Sequence, residues 1–279
     1  MTPPLSTSEQ AVRAERFLVL HRPGAPLLMP NAWDVGSARL FASIGMEAIA
    51  TTSGGFAASR GRLDGAMSGE EVLEHCGDLA GAVDIPVSGD LENCLAQDAD
   101  GVADFIAAAK QRGLAGGSIE DFTRHADEPI YELGEAAERV RAAADAAHAG
   151  PIHFVLTARA ENYLHGRVNL GDTITRLQAY QEAGADVLFA PRVVEPAELR
   201  QLLAEVDIPV SVLVTPKAPP IHELAELGVS RISVGGAIAA ASYGFAVAAV
   251  KQLRDEGTPD YWDAAAAVRD DMTAAFVKP

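Results

Sequence analysis

The chain contains little cysteine, few basic residues and no long apolar run. Its 279 residues include two cysteines, Cys76 and Cys94, which are too few for a disulfide framework. Lys and Arg number 22 against 39 Asp and Glu, so the formal net charge is −17. This acidity argues against nucleic acid or an anionic membrane as a partner, because both require a basic protein surface.

Signals for export and for membrane insertion are also lacking in the sequence. The N-terminal residues contain no apolar core behind a basic start, so we expect a cytoplasmic protein. The most apolar stretch, Val234 to Val250, consists mainly of Gly, Ala and Ser and is short and weakly hydrophobic for a membrane span. Because 48% of the residues are hydrophobic, the chain can bury a large core, and we expect one soluble domain over residues 1–279.

A repeated strand entrance organises the sequence. The segment Val83–Ser88 recurs without change as Val206–Ser211, each time after a helical pattern rich in Ala and Leu. Four further strands follow a glycine at a helix end, the expected C-terminal cap, at positions 45, 113, 184 and 228. With Leu27–Pro30 and Ile152–Leu156, these segments make eight strands that alternate with helical patterns.

Eight such units predict an α/β fold of the (β/α)8 TIM-barrel type. Strands that are apolar along most of their length and alternate with helices indicate a parallel sheet covered on both faces. A doubly wound open sheet is the alternative, but no G-x-G-x-x-G or Walker-type segment follows the first strand. We expect residues 252–279 to form a C-terminal helical extension of the barrel.

Polar residues stand where several of the predicted strands end. In strand order, they are Ser53-Gly54-Gly55, then Asp90 and Glu92, then Glu120, and then Arg159. The carboxyl ends of barrel strands form the catalytic face, so these side chains are expected to share one site. Asp90 and Glu92, two residues apart on a strand, are expected to point the same way beside Glu120.

A bound cation would compensate the negative charges that this arrangement brings together. A purely structural account, in which each acidic residue caps the following helix, would bury Asp90, Glu92 and Glu120 together. Carboxylates with hardly any thiol or imidazole beside them suit a hard divalent cation, so we expect Mg²⁺, with Mn²⁺ as an alternative. Arg159 either pairs with these carboxylates or grips a substrate carboxylate, and the two roles are compatible.

Six short motifs resemble the isocitrate lyase and phosphoenolpyruvate mutase superfamily, particularly its small single-domain members. The resemblance runs from about Leu27 to Ala249, and the motifs are Pro30–Asp34, Thr51–Gly54, Asp64 after Arg60–Leu63, Asp90–Glu92, Ile119–Asp121 and Ala158–Asn162. It implies a barrel whose final helix is exchanged between subunits of a homodimer or homotetramer. The chemistry common to the superfamily makes or breaks a bond next to a pyruvate-like enolate.

The resemblance also implies a role for each motif residue. Asp90 would be the direct or nearest Mg²⁺ ligand, with Glu92, Asp64 and Glu120 holding metal-bound waters. Ser53, with the N–H groups of Gly54 and Gly55, would hold a carboxylate or enolate oxygen of a 2-oxo acid. The set expected to bind substrate is Thr52, Ser53, Gly54, Gly55, Asp64, Arg159 and Asn162, and the set expected to act in catalysis is Arg159, Glu120 and His125.

Departures from the superfamily pattern limit the choice of reaction. Lyases of the superfamily carry a Lys-Lys-Cys-Gly-His segment after strand four, whereas this chain has Phe122–Asp127 without a cysteine. Cys94 is one candidate replacement, but carboxylates beside it would raise the pKa of its thiol. We favour Arg124 or His125, because a loop over residues 122–129 that closes would deliver them to the site. Phosphonate-handling members have a histidine where this chain has Pro191, which disfavours a phosphoryl mutase.

The C-terminal extension carries large apolar residues that a lone barrel would leave partly exposed. They are Tyr261, Trp262, Val268, Met272 and Phe276. Exposed apolar patches usually mark an interface, so we expect the C-terminal helices to cross between subunits.

The sequence therefore predicts a Mg²⁺-dependent enzyme that acts on a small 2-oxo or 2-hydroxy carboxylic acid. The expected reaction is cleavage of a carbon–carbon bond by a lyase or decarboxylase, through a metal-stabilised enolate. A phosphonopyruvate-type carbon–phosphorus hydrolase or mutase is one alternative. A non-catalytic protein that binds 2-oxo acids on the same scaffold is the other, because a fold does not establish function.

Overall fold

A computed structural model describes residues 6–277 of the chain. Eight parallel strands form its centre: β1 Leu27–Met29, β2 Ile49–Ala50, β3 Val87–Asp90, β4 Gly116–Glu120, β5 Val155–Arg159, β6 Val187–Phe189, β7 Val210–Leu213 and β8 Arg231–Ser233. They are hydrogen-bonded in the order β1-β8-β7-β6-β5-β4-β3-β2. A parallel bridge between Asn31 and Ala50 joins β1 to β2, so the sheet closes into the predicted (β/α)8 barrel.

Helices alternate with these strands and cover the outside of the barrel. Within residues 6–277 they are α1 Thr7–Val19, α2 Val35–Ser43, α3 Ser53–Ser59, α4 Gly69–Ala82, α5 Ala99–Gln111, α6 Leu133–His148, α7 Leu170–Glu182, α8 Pro196–Ala204, α9 Ile221–Leu227, α10 Ala237–Glu256, α11 Tyr261–Ala267 and α12 Arg269–Phe276. Many start at a side chain that accepts a hydrogen bond from the first turn, such as Asp34, Ser68 and Asn169. The main apolar core lies between the strands and these helices.

Helix α1 closes the N-terminal end of the barrel. Phe17 is fully buried in a second apolar cluster with Leu27, Val155 and Val187, which come from three different strands. A Cβ atom on Gly116 would lie 2.8 Å from the Phe17 ring, so the glycine allows this close packing. With that end closed by α1, the barrel interior is open to ligands only from the carboxyl ends of the strands.

The C-terminal helices differ in detail from the sequence-based expectation. Helix α10 continues to Glu256 and ends at Gly257, which has a φ of 72°. Two short helices, α11 and α12, follow in place of one. Helix α12 packs against α2 of the same chain, with Phe276 near Gly36. No helix within residues 6–277 is both long enough and apolar enough to cross a membrane.

Candidate active site

Three charged residues occupy the last positions of neighbouring strands. Asp90 ends β3, Glu120 ends β4 and Arg159 ends β5. Glu120 lies opposite Arg159 in the parallel register, and Asp90 lies opposite Ser118. The strands therefore bring these side chains together at the end of the barrel where catalytic residues of this fold lie.

Arg159 is the centre of a buried ion-pair cluster at this end. Its guanidinium nitrogens lie 2.9 Å from Asp90 Oδ1, 3.1 Å from Glu120 Oε2 and 2.8 Å from Glu161 Oε1. Burial would lower the pKa of Arg159, but the three carboxylates raise it above its ordinary value. One cation faces three carboxylates, so the cluster keeps an excess of negative charge when all of them are ionised.

Two carboxyl groups at this end have raised pKa values because their charge is incompletely compensated. Burial, followed by the charge of Asp90, raises the pKa of Glu92 to about 7. Burial also raises the pKa of Glu120, although Arg159 opposes the change. Glu92 Oε1 is buried and accepts no hydrogen bond from residues 6–277. A hard cation would supply the positive charge that these oxygens lack.

The chain reaches Glu92 through a turn, so the expectation that Asp90 and Glu92 share one face of a strand is wrong. Strand β3 ends at Asp90, and Glu92 has a φ of 50°, in the left-handed region. Cys94 and Leu95 follow with φ values of 61° and 51°. The Glu120 N–H donates to Glu92 O at 3.0 Å and holds this turn beside β4. The alternation of side chains along a strand therefore does not predict the direction in which the Glu92 side chain points.

Both thiols of the chain are buried. Burial raises the pKa of Cys94 to about 12, and the same cause raises the pKa of Cys76 on α4 to about 12. A thiol with such a pKa stays protonated near neutral pH and is a poor nucleophile. This environment argues against Cys94 as a replacement for the lyase cysteine.

The segment after β2 forms the first turn of α3 and is tied to the carboxylate cluster. Thr52 caps the helix, and its Oγ1 accepts a hydrogen bond from the Gly55 N–H at 3.3 Å. The Ser53 N–H donates to Asp90 Oδ2 at 2.9 Å. The Ser53 and Gly55 N–H groups are therefore both already used within the protein, and Ser53 and Gly54 line the adjacent cavity.

A cavity of about 210 Å³ lies beside the cluster inside the barrel. Among the predicted site residues, its lining includes Thr52, Ser53, Gly54, Asp64, Asp90 and Arg159. A Cβ atom on Gly54 would lie 3.2 Å from Asp64 Oδ2, so the glycine leaves room for that carboxylate. Glu92, Glu120 and Gly55 stand outside the lining.

Asn162 and His125 lie away from this cavity. Asn162 is fully buried, and its amide donates to Thr173 Oγ1 at 2.7 Å, which fastens the chain after β5 to α7. His125 is exposed and lines a separate surface depression with Arg124 and Arg167. Contact between His125 and a ligand in the cavity therefore requires the loop to move.

Arg124 joins the loop after β4 to the segment that carries Asp64. Its guanidinium donates to Gly65 O, and its Nε lies 3.9 Å from Glu92 Oε2. Within the loop, Thr123 Oγ1 donates to Glu128 O at 2.5 Å. The loop thus already bridges two sides of the cavity mouth through Arg124.

Two further residues shape the cavity: Asn31, which sequence reasoning named only within the Pro30–Asp34 motif, and Arg231, which it missed. Asn31 donates to Thr51 O at 2.7 Å and accepts from the Gly235 N–H at 2.8 Å, which links the ends of β1, β2 and β8. Arg231 lies at the start of β8 and lines the cavity. The sequence signal that could have identified Arg231 is its charge, because the other residues of Val229–Ser233 are apolar or bear a hydroxyl group.

A second group of metal-capable side chains lies at the opposite end of the barrel. His148 Nε2 and His153 Nε2 lie 3.0 and 2.8 Å from the two carboxylate oxygens of Asp186. The imidazole rings stack with centroids 4.3 Å apart and planes 12° from parallel. The three residues offer ligand atoms within 4.8 Å of one another, and both imidazole nitrogens already lie within hydrogen-bond distance of the carboxylate. We interpret this group as a hydrogen-bonded link between the entrances to β5 and β6.

The fold and the cluster together define a class of protein. It is a (β/α)8 barrel with carboxylates and two arginines, Arg159 and Arg231, around a cavity that opens at the carboxyl ends of its strands. The sequence profile of the phosphoenolpyruvate phosphomutase family matches residues 17–254, and the chain belongs to this family within the isocitrate lyase/phosphoenolpyruvate mutase superfamily. The resemblance predicted from the motifs is confirmed.

Individual relatives of the chain by sequence include lyases and a phosphoenolpyruvate phosphomutase. The crystal structure of a protein described as a lyase/mutase, from Burkholderia cenocepacia J2315, is 46% identical with a TM-score of 0.93, and the match covers 98% of each chain. The 2-methylisocitrate lyase of Escherichia coli K12 is 29% identical over 234 residues, covering 77% of this chain and 78% of that enzyme. A phosphonopyruvate hydrolase solved with oxalate and Mg²⁺ shares the fold at 24% identity, with a TM-score of 0.77 over 93% of this chain and 91% of its own.

Proposed function

We propose that this protein is a Mg²⁺-dependent enzyme that cleaves a carbon–carbon bond in a small 2-oxo or 2-hydroxy carboxylic acid, as a lyase or decarboxylase. The observation that carries the proposal is the excess of carboxylates over cations beside the cavity, with Glu92 Oε1 buried and unpaired within residues 6–277. Burying like charges is unfavourable unless a cation compensates them. The superfamily to which the chain belongs contains lyases, mutases and hydrolases.

The donor set fits Mg²⁺ by its chemistry. Asp90 is the proposed nearest ligand, with Glu92, Asp64 and Glu120 holding waters of the hydrated ion. Mg²⁺ usually keeps several waters and uses only one or two protein carboxylates, which suits carboxylates set at different depths. Mn²⁺ accepts the same hard oxygen donors and is the proposed substitute. When bound, the ion would supply Lewis-acid stabilisation of the negative charge that develops on the substrate.

The side chains around the cavity would hold and orient the substrate. Arg159 is the proposed partner of the substrate carboxylate, because its planar guanidinium matches two oxygens at once. Glu120, whose Oε2 lies 3.1 Å from Nη1 of Arg159, would hold that guanidinium in its orientation toward the substrate. The Ser53 side chain and the Gly54 backbone would contact an oxygen of the same substrate, since both residues line the cavity and the Ser53 N–H already donates to Asp90.

His125 is the proposed proton donor or acceptor, with Arg124 as the residue that closes the mouth. The support for a moving loop is its position, since residues 125–128 are exposed and the loop meets the cavity rim through Arg124. A loop that closes would bring an imidazole, which can donate or accept a proton, to a site from which water is then excluded.

A turnover assay tests this proposal. Purified protein is incubated with a panel of 2-oxo and 2-hydroxy acids, with Mg²⁺ or with EDTA, and products are followed by NMR. We expect Mg²⁺-dependent carbon–carbon cleavage of at least one acid and its loss in Asp90→Ala. Release of phosphate from phosphonopyruvate would support the hydrolase alternative. Binding of 2-oxo acids without turnover would support a non-catalytic binding protein.

We also propose that the enzyme is a cytoplasmic homodimer or homotetramer whose C-terminal helices cross between subunits. The support is the exposure of apolar side chains on α10, among them Phe245 at 53% and Val250 at 66%. Truncation after Glu256 is expected to weaken the oligomer, measured by light scattering at micromolar concentration. A full-length monomer at that concentration would contradict this assembly.

A further inference from the structure

Arg231 is a buried cation inside the barrel without a carboxylate partner in residues 6–277. It is 3% exposed, and its Nε donates to Ser211 Oγ at 3.0 Å. Its Nη1 donates to Thr157 Oγ1 at 2.9 Å and lies 3.3 Å from His21 Nε2. No residue between 6 and 277 accepts a hydrogen bond from Nη2.

The side chains that contact this guanidinium directly carry no charge. Burial, followed by the charge of Arg231, lowers the pKa of His21 to about 3, so this imidazole is uncharged near neutral pH. Burial and the nearby charge of Arg159 lower the pKa of Arg231 to about 9. A buried ion without a counter-ion is unfavourable, and an incoming anion would remove that penalty.

The barrel interior around Arg231 is a cavity lined in part by small hydroxyl-bearing side chains. The inside of such a barrel is usually filled by bulky branched side chains. Here Ser88, Ser118 and Ser233 line the cavity together with Arg231. Small hydroxyl side chains leave space above the guanidinium and can donate hydrogen bonds to an anion.

Within residues 6–277, the approach to Arg231 lies on the side of the candidate active site. Phe17 of α1 and His21, two residues after this helix, lie at the opposite end of the barrel. Thr157, which contacts Arg231, lies two residues before Arg159 on the same strand. One two-residue repeat of a strand spans roughly 6–7 Å, so the two guanidinium groups lie at successive levels of one cavity.

We propose that Arg231, with the hydroxyl groups of Ser88, Ser118 and Ser233, forms a subsite for the second carboxylate of a four- or five-carbon dicarboxylic acid. This inference rests on the proposed function, because it assigns the first carboxylate to Arg159 and the Ser53 segment. A ligand with carboxylates at both ends would span the two levels of the cavity. A two-carbon acid such as oxalate would occupy the upper level alone.

Matched pairs of ligands test the subsite by calorimetry in the presence of Mg²⁺. 2-Oxoglutarate is compared with 2-oxopentanoate, and malate with 2-hydroxybutyrate, because each pair exchanges a terminal carboxylate for a methyl group. Wild-type protein is expected to bind at least one dicarboxylate tenfold or more tightly than its partner. Arg231→Met is expected to abolish that preference and to leave the Kd of oxalate within threefold of the wild-type value.

The controls separate this inference from the proposed function. Absence of Mg²⁺-dependent oxalate binding in wild-type protein would refute the proposed metal and carboxylate site. Oxalate binding without any preference for a dicarboxylate would overturn the subsite alone, as would equal weakening of oxalate and dicarboxylates by Arg231→Met. If Arg231→Met does not fold, the wild-type ligand pairs and Arg231→Lys decide. The lysine variant is expected to keep the oxalate Kd and to lose part of the preference.

Titration with formate distinguishes a free small anion from a carboxylate of the substrate. If formate binds at Arg231 but the protein shows no preference for dicarboxylates, Arg231 belongs to an anion site unrelated to substrate length. That result would overturn the proposal. Competition between formate and the dicarboxylate, but not between formate and oxalate, is the expected result.

Discussion

Two arginine–carboxylate clusters lie back to back on the end of β4, and only one of them faces a cavity. Glu120 meets Arg159 on the inside of the barrel, whereas the next residue, Asp121, meets Arg176 on the outside. Both acids are buried, and burial raises the pKa of each. Each cluster therefore pairs a carboxylate of raised pKa with an arginine, but the groups that surround the two carboxylates differ.

The difference lies in how completely each carboxylate is satisfied. Asp121 accepts hydrogen bonds from the Tyr180 hydroxyl at 2.6 Å, the Glu161 N–H at 2.8 Å and Arg176 at 3.2 Å. Inside the barrel, one guanidinium serves three carboxylates, and Glu92 Oε1 has no partner within residues 6–277. A closed, satisfied cluster holds the fold together, whereas an open cluster with surplus negative charge can bind a cation. Substitutions in the two clusters should therefore have opposite effects on binding and on stability.

Asp90→Ala is expected to have the largest effect on binding. Removing the proposed nearest ligand should weaken Mg²⁺-dependent oxalate binding by about 1,000-fold, or ~4 kcal/mol. The melting temperature should change little, because the substitution also removes like-charge repulsion. Calorimetry measures oxalate binding by this variant and by a control, Asp104→Ala, in which an exposed acid on α5 is replaced. Unchanged binding in Asp90→Ala would exclude the metal assignment.

Asp121→Asn is expected to have the reverse profile. Loss of the buried negative charge leaves Arg176 without its buried partner and should cost about 3 kcal/mol of unfolding free energy. Asp172→Asn removes the more exposed partner of the same arginine and should cost less than about 1 kcal/mol. Denaturant unfolding measures both. Oxalate affinity of the folded Asp121→Asn protein should stay near the wild-type value, and its loss would mean that the outer cluster also shapes the site.

Arg159→Lys should weaken oxalate binding by about 30-fold, or ~2 kcal/mol, because an ammonium cannot reproduce a two-pronged contact. Arg200→Lys, on the exposed face of α8, is the matched control. Equal affinities in the two variants would assign Arg159 to structure alone.

The raised pKa of Glu92, about 7, should make Mg²⁺ affinity depend on pH. Below that pH the metal-free protein holds a proton on Glu92 that Mg²⁺ must displace, so affinity should fall up to about tenfold per pH unit. Without metal, the folded protein holds this proton more tightly than the unfolded chain does. Its stability should therefore fall as the pH rises from about 4.5 to about 7. Titrations at pH 6, 7 and 8 should show a flatter dependence in Glu92→Gln, and equal slopes would assign the dependence to another group.

The sequence predicted the parts of this molecule that depend on local signals. Glycine caps such as Gly228, with a φ of 98°, and the repeated strand entrances mark the eight strand–helix units, because they act within a few residues. The backbone conformation at Glu92 was predicted wrongly, because whether a strand continues past Asp90 depends on its neighbours. Arg231 was overlooked because its interest lies in the absence of a partner, which is a property of the tertiary structure. Asn162 belongs to a matching motif, yet in the folded chain its amide is used to hold α7.

The burial of both thiols has a practical consequence for watching the loop after β4. Cys76 and Cys94 are fully buried, and their raised pKa values keep them from reacting with maleimides at neutral pH. Ala126→Cys, at an exposed loop position, would therefore introduce the single accessible thiol among residues 6–277. A fluorophore attached there would test whether the loop closes when a ligand binds, without first removing native cysteines.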